Sequence, residues 1–393
     1  MRNVPLYFGR MATGGWRAWG GSELARTLKA LSKLGKAKLS ALVASTAAAG
    51  CALGSGQHID ASALSSSTGG TFLCALSANS LNQLAERVPD ARMMRTACRP
   101  LPASALSPSA CLAFAAASGC AGALWLVSSS GGLQAAGLGG GNIALYSIVY
   151  TPLKRTTVAN TWVGAVVGAI PPLIGWCCAS GGALSQQDVA KSTWLASVLY
   201  FWQMPHFMAL SHMARHDYDR GGFRMLSQLD PSGRRVAGVS LRNSAAMIPL
   251  GYAAYECGLV SLPLAFEFAA VSAGVTALAL KFRVSPSQRT AKVLFKAGLL
   301  QLPLLMAAAV VHRVPQQEHV ERSKEMQKKR ELQMSYRPAP RAAALLASER
   351  QAPSAAESAL LLCSATSKEA DPSHSIQALQ EAPFPFLPLP PSS

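Results

Sequence analysis

Nine apolar stretches run along the chain, at 39–54, 69–85, 108–128, 133–152, 161–180, 192–213, 243–260, 261–280 and 293–312, separated by polar or charged connections. Most approach the ~20 residues that an α-helix needs to cross the hydrocarbon core of a bilayer. The pattern predicts an all-α, polytopic membrane protein with about nine transmembrane helices. The first stretch is short and rich in small residues, and the seventh and eighth are nearly contiguous. Gly and Ala abound inside the stretches (GLGGGNIAL, WVGAVVGAI), which lets helix backbones approach closely in lipid.

The connections alternate in charge. Residues 55–68, the link near 130 and the link between the seventh and eighth stretches carry no Lys or Arg, and 181–191 carries only Lys191. By contrast, 86–107 carries four arginines, the next even connection has Lys154 and Arg155, 214–242 has six arginines, and Lys281, Arg283, Arg289 and Lys292 precede the last stretch. Under the positive-inside rule every even connection faces the compartment that holds the N-terminus. That agreement supports the nine-span reading.

Composition sharpens the picture. Only 14% of the 393 residues are charged and 50% are hydrophobic, against about 25% charged for a soluble domain. The net charge of +17 is spread over loops and tails between spans, which excludes a nucleic-acid-binding face. Nine scattered cysteines form no CxxC pair and read as small apolar residues rather than a disulfide or zinc framework. Residues 1–38 hold eight Lys/Arg and one acid, Glu23, and read as a mitochondrial transit peptide. The membrane domain is expected over 39–315. Residues 316–393, charged and then rich in Pro, Ser and Ala, read as a largely disordered tail.

Chemistry gathers on the basic side. In NSLNQLAERVPDARMMRTACRPL, Asn82, Glu86 and Asp90 recur every four residues, so a helix would line up three oxygen-bearing side chains on one face. Such hard ligands suit Mg²⁺, which also binds substrate phosphates. Pro89 predicts a bend before Asp90. Arg95 and Arg99 follow as planar donors that match phosphate oxygens. YTPLKRTT places Tyr150, Lys154 and Arg155 at the end of the fourth span. FWQMPHFMALSHMARHDYDRGGFRML brings His206, Asp217 and Asp219 out of the sixth. Acidic ligands from two even connections, with cations from a third, describe a metal-bound diphosphate held at a membrane surface. A transporter would instead gather its polar groups near the bilayer midplane.

These blocks, together with NTWVGAVVGAIPPLIGW, resemble the UbiA-type intramembrane prenyltransferases, and within them the branch that farnesylates haem, over most of residues 31–312. The resemblance implies nine helices around a central cavity. It assigns Asn82, Glu86, Asp90 and Asp217 as Mg²⁺ ligands with catalytic roles. Asp219 ranks lower, at a position not expected to be fixed. Arg95, Arg99, Tyr150, Lys154 and Arg155 become diphosphate-binding, Lys154 also catalytic, and His206 a haem contact. The implied substrates are farnesyl diphosphate and haem b, and the implied product haem O, made in the mitochondrial inner membrane with the site facing the matrix. A homo-oligomer, or handover to a haem A synthase, is also implied. The same-fold alternative is prenylation of an aromatic quinone precursor. Two departures stand out. GKAKLS lacks the family's K-P-R and has Lys38 for its Arg, and RPLPAS has Ser104 where glycine is expected.

Overall fold

The computed structural model describes residues 23–182 and 184–314. Residues 1–22 and the tail read over 316–393 lie outside the described residues. Helices α1 (Glu23–Leu34), α2 (Ala37–Gly54), α3 (Ala61–Ala85), α4 (Arg87–Arg92), α5 (Pro108–Val127) and α6 (Gly132–Ala144) come first. A π-helical segment (Leu145–Tyr150), α7 (Thr151–Thr156), α8 (Asn160–Ala179), α9 (Gln186–Met213) and α10 (Arg215–Gly221) follow. The order closes with α11 (Arg234–Ala246), α12 (Leu250–Glu256), α13 (Leu262–Val284) and α14 (Gln288–Val311).

The apolar stretches account for these helices, and polar residues mark their ends. Asp60 caps α3 through the N–H groups of Ser62 and Ala63. Ser107 caps α5, with Pro108 in its first turn, and Ser185 with Asp188 forms a capping box on α9. Five helices, α2, α5, α8, α13 and α14, are long and apolar enough to cross a membrane by length and composition. α3 is long but polar. Its Ser66, Thr68 and Ser80 hydroxyls donate to carbonyls of their own helix, which satisfies them without water. The seventh stretch is not one helix: α11 ends at Ala246, and α12 restarts behind Pro249, which has no N–H to continue the ladder.

The fourth stretch runs unbroken from α6 through the π segment into α7. Pro152 explains the π register, because its ring would strike a carbonyl four residues back in an ordinary helix. The Thr151 N–H donates instead to Tyr146 O, five residues back, and the Thr151 hydroxyl reaches the same oxygen at 2.8 Å.

Backbones touch where α2 crosses α8. A β-carbon on Gly175 would strike Ala47 O, and one on Gly50 would strike Pro172 O. Only hydrogen fits at these positions.

The basic connections converge at one end of the helices. Arg224 N donates to Lys154 O at 2.6 Å, Asn160 Nδ2 to Arg224 O at 2.8 Å, and the Arg95 guanidinium lies 5.8 Å from the Tyr218 ring centroid. The opposite end is tied separately, by Arg313 to Ala52 O and Gln57 O and by Trp176 Nε1 to Asp188 Oδ1. Three of the basic connections therefore meet at one end of the helices.

Packing reaches back into the basic N-terminal segment. Leu34 is fully buried with Leu101 and Cys111, and Gln83 Nε2 donates to Lys33 O and Leu34 O at 3.0 and 2.5 Å. Ser104 adopts φ +55°, a left-handed conformation that explains why glycine was expected there. Its side chain is exposed. Ser104→Gly is expected to stabilise the solubilised chain by about 1 kcal/mol, read as a higher Tm. An unchanged or lowered Tm would show that the loop bears no strain there.

Candidate active site

The cluster begins where α3 stops. Pro89 would strike the carbonyl of Ala85 in a continuing helix, so α3 ends at Ala85, Glu86 forms the joint and α4 carries Asp90. The bend is mild: Glu86 N still donates to Asn82 O, and Asp90 N to Glu86 O. Asn82, Glu86 and Asp90 thus remain one above another, and they are 1%, 5% and 0% exposed. Carboxylates that deep demand partners.

Each receives a cation from a different part of the chain. Arg99 Nη1 meets Asp90 Oδ2 at 2.5 Å. Lys154 Nζ meets Glu86 Oε1 at 2.7 Å. Lys36 Nζ donates to Asn82 Oδ1 at 3.2 Å, while Asn82 Nδ2 donates to Thr151 Oγ1 at 3.1 Å and so links α3 to α7. Asp90 Oδ1 is buried without a hydrogen-bond partner. Three cations therefore face two carboxylates.

Lys36 is the residue that sequence reading missed. It sits at the joint between α1 and α2 with φ +48°, a strained conformation for a lysine. GKAKLS was noted for Lys38, yet Lys38 is exposed and the side chain that enters the cluster is two residues earlier. A Lys beside Gly35, at a break between a basic helix and a span, was the available signal. Burial, with Arg99 and Lys154 nearby, pulls the Lys36 ammonium down to about 7. Burial raises the Asp90 carboxyl, opposed by Arg99. Burial is the largest single influence on Lys154 and would lower it. The Glu86 carboxylate and smaller contributions from Tyr146 and Tyr218 together outweigh it, and the ammonium is raised.

The other expected residues are distributed as follows. Tyr150 is one turn from Lys154, whose Nζ lies 4.5 Å from its ring centroid. Tyr146, not foreseen, stands beside it with ring centroids 5.2 Å apart. Arg95 is exposed and covers Tyr218. Arg155 is exposed on the side away from buried Lys154, as adjacent helical positions differ by about 100°. Asp217 is half-buried on α10, which packs against α4, and Asp219 is exposed. His206 is not brought to the cluster. It stacks between Trp202 and Phe295 at centroid distances of 5.1 and 4.3 Å, on the seam between α9 and α14.

Beneath the cluster lies a cavity of about 260 Å³, walled by α2, α3, α6, the π segment, α8 and α9. Tyr146 and Tyr150 line it beside Thr161 and Asn79, and the rest is mainly aliphatic. Glycines shape its α8 wall. A β-carbon on Gly164 would come within 2.7 Å of the Tyr150 ring, and one on Gly168 would strike Gln203.

The donor set fits Mg²⁺ in one specific way. Asn82, Glu86 and Asp90 present hard oxygens on one face, and Asp90 keeps an unpartnered oxygen. Among the described residues no three His, Cys, Asp or Glu side chains cluster closely enough to cage a metal by themselves. That suits an ion which retains waters and takes phosphate oxygens as further ligands.

Comparison with known proteins places these features. Residues 43–301 match the UbiA prenyltransferase family. The chain is 47% identical over 283 residues to a protein of Arabidopsis thaliana described as mitochondrial protoheme IX farnesyltransferase, covering 72% of this chain and 64% of that one. It is 42% identical over 277 residues to the human protein so described, covering 70% and 60%. The chain thus spans less than two thirds of these relatives' length. A solved structure described as digeranylgeranylglyceryl phosphate synthase superposes with a TM-score of 0.61 at 14% identity, covering 72% of this chain and 98% of that one. An apo UbiA homolog from Aeropyrum pernix K1 gives 0.52 at 19% identity, covering 72% and 97%. These two structures establish the likeness of fold.

Proposed function

The chain belongs to the UbiA prenyltransferase family, and we propose that it transfers the farnesyl group of farnesyl diphosphate to a vinyl group of haem b, giving haem O and diphosphate. The observation that carries this reading is the ladder of Asn82, Glu86 and Asp90, each matched to a cation, above an apolar cavity. The names of the two relatives support the choice of acceptor. They also support a mitochondrial setting. The positive-inside rule then puts the basic end in the matrix and the chain in the inner membrane.

In this reading the diphosphate lies on the basic end and the farnesyl chain descends into the cavity. Asn82, Glu86 and Asp90, with Asp217 from α10, hold Mg²⁺, which when bound neutralises charge on the leaving diphosphate. Lys36, Lys154 and Arg99 bind the diphosphate oxygens, with Arg95, Arg155 and the Tyr150 hydroxyl at the rim. The allylic C–O bond breaks and its electron pair leaves with the diphosphate. The vinyl π electrons then form the new C–C bond. Water captures the resulting cation and loses a proton, leaving a hydroxyl group. Tyr146 and Tyr150 line the cavity where the first positive charge develops. His206 orients the haem from the α9–α14 seam.

The test is chemical. Full-length protein is expressed in a bacterial membrane that lacks its own haem-farnesylating enzyme, and extracted haems are separated by reverse-phase chromatography. A strongly retained species with the mass of hydroxyethylfarnesyl haem is expected. If only haem b is recovered while an aromatic quinone precursor is prenylated by the same membranes, the acceptor is wrong.

A further inference from the structure

Side chains of α3 hold the turn between α1 and α2. Leu76, Asn79 and Gln83 are spaced three and four residues apart, so they share one face of that helix. Gln83 is fully buried. Its Nε2 donates to Lys33 O at 3.0 Å and to Leu34 O at 2.5 Å, two of the carbonyls that a helix end leaves without an in-helix partner. Lys33 O also accepts from the N–H of Lys36 at 3.3 Å, so Gln83 fixes the same carbonyl that closes the turn. Asn79 Nδ2 donates to Ser40 Oγ at 3.1 Å, and that hydroxyl donates to Gly35 O at 2.8 Å. Leu76 packs against the turn itself: a β-carbon on Gly35 would come within 2.5 Å of its Cδ2.

The residue secured by this grip is Lys36. Only Gly35 and Lys36 separate α1 from α2, and Lys36 has φ +48°. A residue with a β-carbon stays in that region only where its surroundings over-determine it. With a right-handed φ, α1 would run on towards α2 as one helix, and the Lys36 side chain would leave in another direction. In the folded chain Lys36 Nζ reaches Asn82 Oδ1 at 3.2 Å. Asn82 and Gln83 are neighbours on α3, so the helix that bears the acidic ladder also sets the turn that brings a cation to it.

We propose that Gln83 is a positioning residue for diphosphate binding. By fastening the end of α1 it keeps the turn in the conformation that presents Lys36 beside Asn82, with Ser40 as a second tie. The inference rests on the reading of Lys36 as a diphosphate ligand and deepens it. Gln83 does not line the cavity, and its amide N–H groups are directed at carbonyls of α1. It acts through Lys36 alone.

The test is a cycle of variants in the solubilised full-length protein, read by calorimetric titration with inorganic diphosphate in the presence of Mg²⁺. Gln83→Met keeps the side chain's length, removes both donors, and should weaken diphosphate binding by roughly tenfold. The decisive measurement is the double variant. With Lys36→Gly, glycine needs no help to hold a positive φ and there is no ammonium to place. Adding Gln83→Met there should change the affinity by less than about twofold. Ser40→Ala, which cuts the tie from Asn79 to Gly35 O, should weaken binding by roughly threefold and lose its effect in the same way beside Lys36→Gly. It carries the test should Gln83→Met fail to fold. Native affinity in folded Gln83→Met overturns the proposal, as does native affinity in Ser40→Ala where Gln83→Met does not fold. So does an undiminished loss on the Lys36→Gly background, which would mean that Gln83 loosens the site generally rather than through Lys36. If Lys36→Gly alone binds diphosphate as tightly as the native chain, the reading of Lys36 falls first and the positioning role with it.

Discussion

Asp90→Asn is expected to lower kcat/KM for the proposed haem farnesylation by roughly 10³-fold while the protein stays folded. The substitution preserves shape and leaves an amide oxygen to accept from Arg99, whose Nη1 lies 2.5 Å from the native carboxylate. What disappears is the charge, and with it a buried carboxylate oxygen that has no partner. Removing a single preorganised electrostatic group at a reacting centre commonly costs about 10²–10³ in rate, and a metal ligand adds to that. Two measurements separate this from simple damage. The Tm should move by only a few degrees, and the Mg²⁺ concentration needed for half-maximal rate should rise. Near-native activity at ordinary Mg²⁺ would remove Asp90 from the metal site. Collapse of the fold would instead assign it to structure, as breaking a buried pair can cost about 3–5 kcal/mol.

Lys36→Gly is expected to separate stability from function in the opposite sense. Lys36 has φ +48°, which costs roughly 1–2 kcal/mol for a residue with a β-carbon and little for glycine. Its ammonium also adds a third cation beside Arg99 and Lys154, where two carboxylates are available. Its own hydrogen-bond partner is a neutral amide oxygen. The variant should therefore melt no lower than the native chain. It should nevertheless bind inorganic diphosphate ten- to a hundredfold more weakly, the usual worth of one charge-assisted hydrogen bond, with a matching loss of turnover. Calorimetric titration with diphosphate, alongside a melting curve, decides the matter. Undiminished diphosphate affinity, or a large fall in Tm, would make Lys36 a structural residue.

Much of this protein could be read from the order of its residues, for identifiable reasons. Apolar runs of bilayer length demand helices, because lipid offers no partner for a free N–H or C=O. The alternation of loop charge foretold which connections meet, and Arg224, Lys154, Arg95 and Tyr218 do meet. The four-residue spacing of Asn82, Glu86 and Asp90 survives on a single face because Pro89 bends α3 without interrupting the bonds across Glu86. Even Ser104 could be singled out, as a residue standing where the backbone calls for glycine.

Other features were settled only by the fold. Periodicity cannot say which of two neighbouring cations turns inward, so Lys36 rather than Lys38, and Lys154 rather than Arg155, were decided by packing against α3. The division of the seventh stretch around Pro249 was likewise invisible to a count of apolar residues. His206 was read toward a substrate, and the fold seats it between Trp202 and Phe295. A sequence determines what each helix must bury. Which side chains then share a space depends on how the helices cross, and that is decided by long-range contacts such as Gly50 and Gly175 against the backbones of α8 and α2.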